Sequence, residues 1–420
     1  MITKTFLMKF IFTISFLFFI NALFSQEMVE FRGIGRSGQF NETGLLKQWS
    51  EEGPEVLLKI EGIGKGYSIP IVANNTIFVT GIKEDTTDVL SAYSLTGELL
   101  WETNYGRSWT RSYTDSRSTP TFERGRLYVS SGTGQVNCVD AKTGKIIWQI
   151  DAIKNFKGEI YKHGDAENPL VLKDVVIFTT GGEENTLVAL SKKDGSLVWK
   201  TKSLGGAKSY ASPVFIQHNA KDIILAQTSE NLVAINPDNG EILWHYNLIQ
   251  YHFHKQGVGA NTNPPIYWNG EVFVTSGYNH PGIKLALSED GKSVTEIWKN
   301  DTIDTHHGGV VLVDGNLYGS NWQNNSKGNW TSVNWNTGRT NWEEEWYNKG
   351  STIYADGMLY IYEEKSGNVA LVKPSAENLT IISTFKMEEG EGPHWAHPAI
   401  YDGKLFLRHG NVLMVYNIKS

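Results

Sequence analysis

The chain predicts an all-β fold: an eight-bladed β-propeller of four-stranded antiparallel blades, with its ring closed by N- and C-terminal strands. Three observations carry this expectation. A Gly-x-x-x-Trp segment recurs at intervals of roughly 40–50 residues, a period typical of units that cannot bury their own apolar face alone. A Ser/Asn-Pro pair or a near equivalent opens most units. The two ends of the chain each hold an incomplete unit, and together they make a whole one.

The fourth strand of each unit is the most legible element. Copies run Thr96-Gly97-Glu-Leu-Leu-Trp101, Asp140-Ala-Lys-Thr-Gly144-Lys-Ile-Ile-Trp148, Asp194-Gly195-Ser-Leu-Val-Trp199 and Asn239-Gly240-Glu-Ile-Leu-Trp244. A fifth, Gly291 to Trp298, carries three extra residues, and Gly338 to Trp342 restores the spacing. The glycine suits a positive-φ hairpin position before the strand. The tryptophan suits a wedge between neighbouring blades, a structural rather than a cofactor role. Phe385 takes the same place in a seventh unit.

The innermost strands follow Ser68-Ile-Pro70, Ser118-Thr-Pro120, Asn168-Pro169, Ser212-Pro213, Asn263-Pro-Pro265 and His397-Pro398, where a missing N–H breaks no ladder. Second strands follow tight turns, as in Gly125-Arg-Leu-Tyr-Val129 and Gly403-Lys-Leu-Phe-Leu407. Third strands are the Leu-x-Ala runs. Residues from His397 to Ile418 supply only three strands. Val56–Ile60 sits where a fourth belongs, so its pairing near Leu413–Tyr416 closes blade eight and leaves no open edge.

Residues 1–25 read as a cleavable signal peptide: Lys4 and Lys9, then the apolar run Phe10–Ile20, then a small residue, Ser25. The run is short for a membrane span, and no cysteine near the cut offers a lipid anchor. The mature protein is expected to be exported, periplasmic or secreted, and monomeric. Residues 26–420 then form one propeller domain of roughly 49 residues per blade. Without Lys4 and Lys9 the chain holds 36 basic residues against 45 acidic, a net charge of about −9. That balance argues against nucleic acid or an anionic membrane as partner. The single cysteine, Cys138, lies in a strand and reads as a small core hydrophobe.

The Asp140–Trp148 signature resembles the pyrroloquinoline-quinone-type (PQQ-like) propeller repeat, over essentially the whole mature chain. Phe31-Arg-Gly-Ile-Gly-Arg36, Thr43-Gly-Leu-Leu-Lys-Gln-Trp49, His307-Gly-Gly-Val310 and Gly392-Pro-His-Trp-Ala-His-Pro398 are similar to a secreted PQQ-binding-like branch. The resemblance also extends to the outer-membrane assembly factor propeller. It implies PQQ with calcium in the central funnel, the ion held by Glu, Asn and Asp; Glu167 and Asn168 are the matching pair here. One cysteine cannot form the adjacent-cysteine disulfide that such dehydrogenases place over the quinone.

Loops leading into each innermost strand converge on one end of the channel. By that positional rule the candidate ligand-binding residues are Arg111, Tyr113, Arg117, Asn168, His252, His254, His306, His307, Trp322, His394, Trp395 and His397. His163, Tyr210 and Tyr354 join them by position, and Glu167 is the candidate base. Imidazole, guanidinium and aromatic faces suit a planar polyanion or an acidic sugar. The expected function is therefore a quinoprotein oxidising an alcohol or sugar, a carbohydrate-binding propeller, or a protein–protein scaffold. A lyase using His with Tyr or Arg as acid–base groups has the residue types as well.

Overall fold

The computed structural model describes residues 27–84, 86–252 and 260–420. The expected signal peptide and His254 lie outside these described residues. Among them, the chain forms seven four-stranded sheets and one five-stranded sheet, with a single short α-helix, Ala152–Asn155. Among the described residues, no helix is long and apolar enough to cross a membrane.

Each sheet is one blade, and in blades 1 to 6 the strands run in sequence order from the channel outward. Blade 1 spans Ile71–Ala73, Thr76–Lys83, Thr87–Ser94 and Leu99–Arg107; blade 2 runs from Thr121–Glu123 to Ile146–Asp151. Blades 3 to 7 repeat the pattern, opening at Leu170–Leu172, Val214–His218, Ile266–Trp268, Val311–Val313 and Gly350–Ala355. Blade 8 joins Ala399–Tyr401, Lys404–His409 and Val412–Asn417 to Val56–Glu61. The expected clasp is present: Val56 faces Tyr416, Lys59 faces Met414 and Ile60 faces Leu413 in an antiparallel ladder.

The Gly-x-x-x-Trp spacing has a direct physical cause. Each indole docks on the third-to-fourth-strand turn of the next blade and donates Nε1–H to a carbonyl there. Trp101 reaches Ala141, Trp148 reaches Lys192, Trp199 reaches Pro237, Trp244 reaches Gly291, Trp298 reaches Trp335 and Trp342 reaches Ser375. The turn glycine lies under that ring. A Cβ on Gly240, at φ +75°, would come within 2.5 Å of the Trp199 ring. Glycine is therefore needed twice over, for its backbone and for its missing side chain. Phe385 meets Gly53 and Leu58 meets Gly97 in the same way, so both stand where a tryptophan would. Cys138 is fully buried within blade 2.

The channel holds one element that the repeat does not announce. Residues 27–40 cross it and then add Gln39–Phe40, in parallel, to the innermost strand of blade 7. Val29 accepts from the Phe122 amide on one side. Arg36 donates to the carbonyls of Pro169 and Pro213, at 3.0 and 2.7 Å. Arg32 reaches the opposite wall, donating to Val310 and Thr352 carbonyls at 3.0 and 3.1 Å. With Met28 also paired to Val72 of blade 1, the crossing ties at least six blades together and turns an open channel into a floored funnel.

Candidate functional site

A cavity of about 420 Å³ sits on that floor, at the end where the innermost strands begin. Its walls come from nearly every blade. Tyr67 precedes blade 1, and Tyr113 and Arg117 precede blade 2. Lys162, His163 and Asn168 precede blade 3, and Tyr210 and Ser212 precede blade 4. Thr262, the pair His306 and His307, and the pair Trp395 and His397 come from the loops before blades 5, 6 and 8. Phe31, from the crossing segment, forms part of the floor and meets the His397 ring edge-on at 5.2 Å.

Nine residues expected from position alone thus line the cavity: Tyr113, Arg117, His163, Asn168, Tyr210, His306, His307, Trp395 and His397. Others do not, and each has a local reason. Glu167 is fully buried and turned away: Thr179 N–H donates to it at 2.9 Å, and Lys208 Nζ lies 3.5 Å off. Its neighbours explain this. In an extended segment side chains alternate, so Ala166 and Asn168 face the cavity while Asp165 and Glu167 face Lys208. The same alternation admits Trp395 and His397 but sends His394 behind the wall. There His394 stacks on His409 at 3.6 Å and meets the Tyr362 hydroxyl. His252 is buried against His280, their rings 4.9 Å apart. Arg111 lies over the exposed side of Trp109. Trp322 packs behind Tyr278 and donates to Asn325 Oδ1 at 3.1 Å, and Tyr354 pairs with the crossing segment.

The positional rule also drew only Trp322 from a second set of loops. Those joining second and third strands emerge at the same end and supply Tyr278, Asn325 and Glu364. Glu364 lies 2.5 Å from Lys349 Nζ and 3.5 Å from His307 Nε2. Tyr278 Oη lies 2.7 Å from His306 Nε2.

The electrostatics are one-sided. Glu364 is the one carboxylate lining the cavity, and Lys349 already neutralises it. Arg117 fixes the wall by donating to the carbonyls of Tyr113 and His163. Arg32, 1% exposed beneath the floor, has no carboxylate partner; it bonds three carbonyls and donates to His397 Nδ1 at 2.7 Å. Burial pulls its pKa down to about 9. Because Arg32 donates to Nδ1, His397 is a neutral acceptor there and donates Nε2–H to the His307 carbonyl, 2.7 Å away. Arg408, also fully buried, bonds only backbone carbonyls and Ser68 Oγ. Arg36 is the one arginine in an ion pair among the described residues. Asp115 acts on both Arg117 and Arg408 and Glu30 pairs with Arg36, so the guanidinium left without a carboxylate beneath this cavity is that of Arg32.

The imidazoles are neutral. Burial pushes His307 down to about 3, the Lys349 charge adding to it, and holds His306 and His397 far below their ordinary range. Burial also raises Tyr67, Tyr210 and Tyr278, the last to about 12, so these stay phenols. A histidine with a depressed folded pKa contributes stability above its unfolded value near 6.5, lost as pH falls through the folded value. Seven histidines are lowered, against four raised carboxylates, Asp88, Glu167, Asp304 and Glu364. The melting temperature is therefore expected to fall between pH 7 and pH 5; a flat or rising profile by differential scanning calorimetry would contradict this balance.

Calcium prefers six to eight oxygen ligands, several of them carboxylate. Glu364 is spoken for, Asp165 and Glu167 hold Lys208, and no group of three or more His, Cys, Asp or Glu among the described residues could hold a metal ion. The donor set does not fit a calcium-bound quinone.

Comparison with known proteins agrees on the scaffold. The outer membrane protein assembly factor BamB of Yersinia pestis is 24% identical over 284 residues, covering 65% of this chain and 67% of that protein. The quinoprotein alcohol dehydrogenase PedH of Pseudomonas putida is 28% identical over 224 residues, covering 49% of this chain but only 36% of the dehydrogenase. Among solved structures, BamB from Moraxella catarrhalis superposes with a TM-score of 0.63 at 13% identity, covering 87% of this chain and 99% of that one. Quinohemoprotein alcohol dehydrogenase from Comamonas testosteroni gives 0.67 at 12% identity, covering 93% and 80%. A family model described as outer membrane protein assembly factor BamB matches residues 85–344. That match takes in more than half of the chain, and the protein belongs to this PQQ-like propeller family.

Proposed function

We propose that this protein is an exported propeller of the cell envelope whose funnel binds an acidic sugar. The observation that carries the reading is Arg32: a fully buried guanidinium under the cavity floor with no carboxylate partner. A buried charge left unpaired is costly, and an anion in the cavity would offset it. The walls suit a pyranose ring, with Tyr67 and Tyr113 each beside Trp395, at 5.0 and 5.6 Å, and Tyr210 and Tyr278 exposing further faces. Asn168, Ser212 and Thr262 supply the few polar groups that such a site uses for orientation. Membership of the BamB family favours a second reading, a scaffold whose outer surface meets a protein partner. The two readings use different surfaces, so the funnel can be tested alone.

Lys162 provides that test. It is exposed at the cavity wall and makes no hydrogen bond or ion pair among the described residues. Calorimetric titration with oligoglucuronate should give saturable binding, and Lys162→Glu should weaken it by roughly 10- to 100-fold with the melting temperature unchanged. Equal affinity of the wild type and Lys162→Glu would count against an anion in the funnel.

A further inference from the structure

We propose that the funnel also cleaves its ligand, by β-elimination of a uronate glycoside, with the Tyr278–His306 pair as the proton relay. The inference rests on the acidic-sugar reading and adds a reaction to it.

The pair is built with some strain. Gly277 and His280 close a tight turn whose central residues, Tyr278 and Asn279, both have positive φ, +58° and +60°. Such turns favour Asn and Gly, and a bulky side chain there is unusual. Strain of this kind persists where surrounding structure over-determines it, and it clusters at functional sites. Here it seats the Tyr278 ring edge-on against His306, centroids 4.6 Å apart, with Oη 2.7 Å from Nε2. Gly277 packs so closely on His306 that a Cβ would come within 2.8 Å of its Cα. The opposite partner in the wall, Trp322, holds Tyr278 from behind at 5.2 Å.

The remaining groups suit elimination better than hydrolysis. Glycoside hydrolysis by the common route needs two free carboxyl groups flanking the bond, and Glu364 is alone and tied to Lys349. Elimination needs cations on the substrate carboxylate, to spread the charge that develops when C5 loses its proton. Lys162 and Arg117 stand in the same cavity as the relay. The phenol and the imidazole are both neutral, and a bound carboxylate shifts His306 toward accepting a proton.

The step balances without any co-reactant. Tyr278 Oη takes the C5 proton as its own proton passes to His306 Nε2. The C5–H electron pair becomes the C4=C5 double bond, and the C4–O bond breaks. The imidazolium proton then returns through Tyr278 to the departing oxygen, which leaves as an alcohol, and both side chains are restored. One relay serving both positions requires C5–H and C4–O on the same ring face.

The experiment uses the full mature chain with 4-linked oligoglucuronate, whose C5–H and C4–O share a face, and with 4-linked oligogalacturonate, whose do not. Ultraviolet absorbance of the conjugated enoate reports turnover, and calorimetry on the same samples reports binding. The expected result is enoate from oligoglucuronate alone, with Tyr278→Phe and His306→Gln each lowering kcat by about 100-fold or more. Tyr278→Phe should keep its affinity and melting temperature, because ring and turn remain. Binding without enoate overturns the elimination and leaves the binding reading standing; absence of binding overturns both. Enoate formed equally well by Tyr278→Phe overturns the relay.

Discussion

Deleting residues 27–61 is expected to leave a ring that cannot close, and the truncated chain should collect in the insoluble fraction. The deletion removes the ladder from Val56–Tyr416 to Glu61–Val412 and exposes the edge of Val412–Asn417. An unpaired, largely apolar edge invites pairing with another chain. Five buried hydrophobic side chains go with it, Met28, Phe40, Leu45, Trp49 and Ile60. At about 1.5–3 kcal/mol each, their loss is comparable with the roughly 5–15 kcal/mol that stabilises a typical domain. Blades 7 and 1 also lose the partners that Gly53 and Leu58 provide for Phe385 and Gly97. Sedimentation and circular dichroism check this. A soluble monomer with the wild-type melting temperature would show that the clasp is ornamental.

The second large effect belongs to Arg32→Leu. Leucine fills space but takes the Arg32 donor from the carbonyls of Val310 and Thr352, while Gly308 keeps the Thr352 N–H, and it releases His397 from its fixed tautomer. Unsatisfied buried acceptors cost about 1–3 kcal/mol each, so the melting temperature should fall clearly. Affinity for oligoglucuronate should fall on the order of tenfold or more, because a low-dielectric floor transmits the lost charge. Arg32→Lys separates the two effects: it keeps the charge but not the planar fork. It should recover much of the binding and little of the stability. Wild-type affinity in Arg32→Leu would remove the floor charge from the account.

The blades could be read because their signal is local. A glycine that must carry the preceding blade's indole sits four positions before the blade's own, as at Gly144 with Trp101 and at Gly195 with Trp148. The clasp could be read because strands come in fours and both ends were short. Phe31–Arg36 could not, since a segment with two glycines and two arginines has no period, and its partners lie 133 to 365 positions away. The funnel was half legible for a different reason. Position in the chain gives the location of a backbone but not the direction of a side chain, so Glu167 and His394 are expected at the site along with Asn168 and Trp395, and only the latter two line it. Tyr278 and Glu364 belong to loops that neither open a blade nor carry the Gly-x-x-x-Trp segment, and only the folded ring brings them to the same end. The neutralised state of the carboxylates follows the same logic. Lys208 and Lys349 sit 41 positions from Glu167 and 15 from Glu364, and no spacing in the sequence pairs them.

The most direct test of the account is a pair of calorimetric titrations of the wild-type protein, one with oligoglucuronate and one with the same oligosaccharide after reduction of its carboxylates to alcohols. Ring, linkage and length are then constant, and only the charge differs. An anion-binding funnel predicts saturable one-to-one binding of the acid that weakens as salt is raised, and binding of the reduced form at least tenfold weaker. Equal affinity for the two, unaffected by salt, would mean that Arg32, Arg117 and Lys162 do not serve a ligand's charge, and the account of the funnel would be wrong.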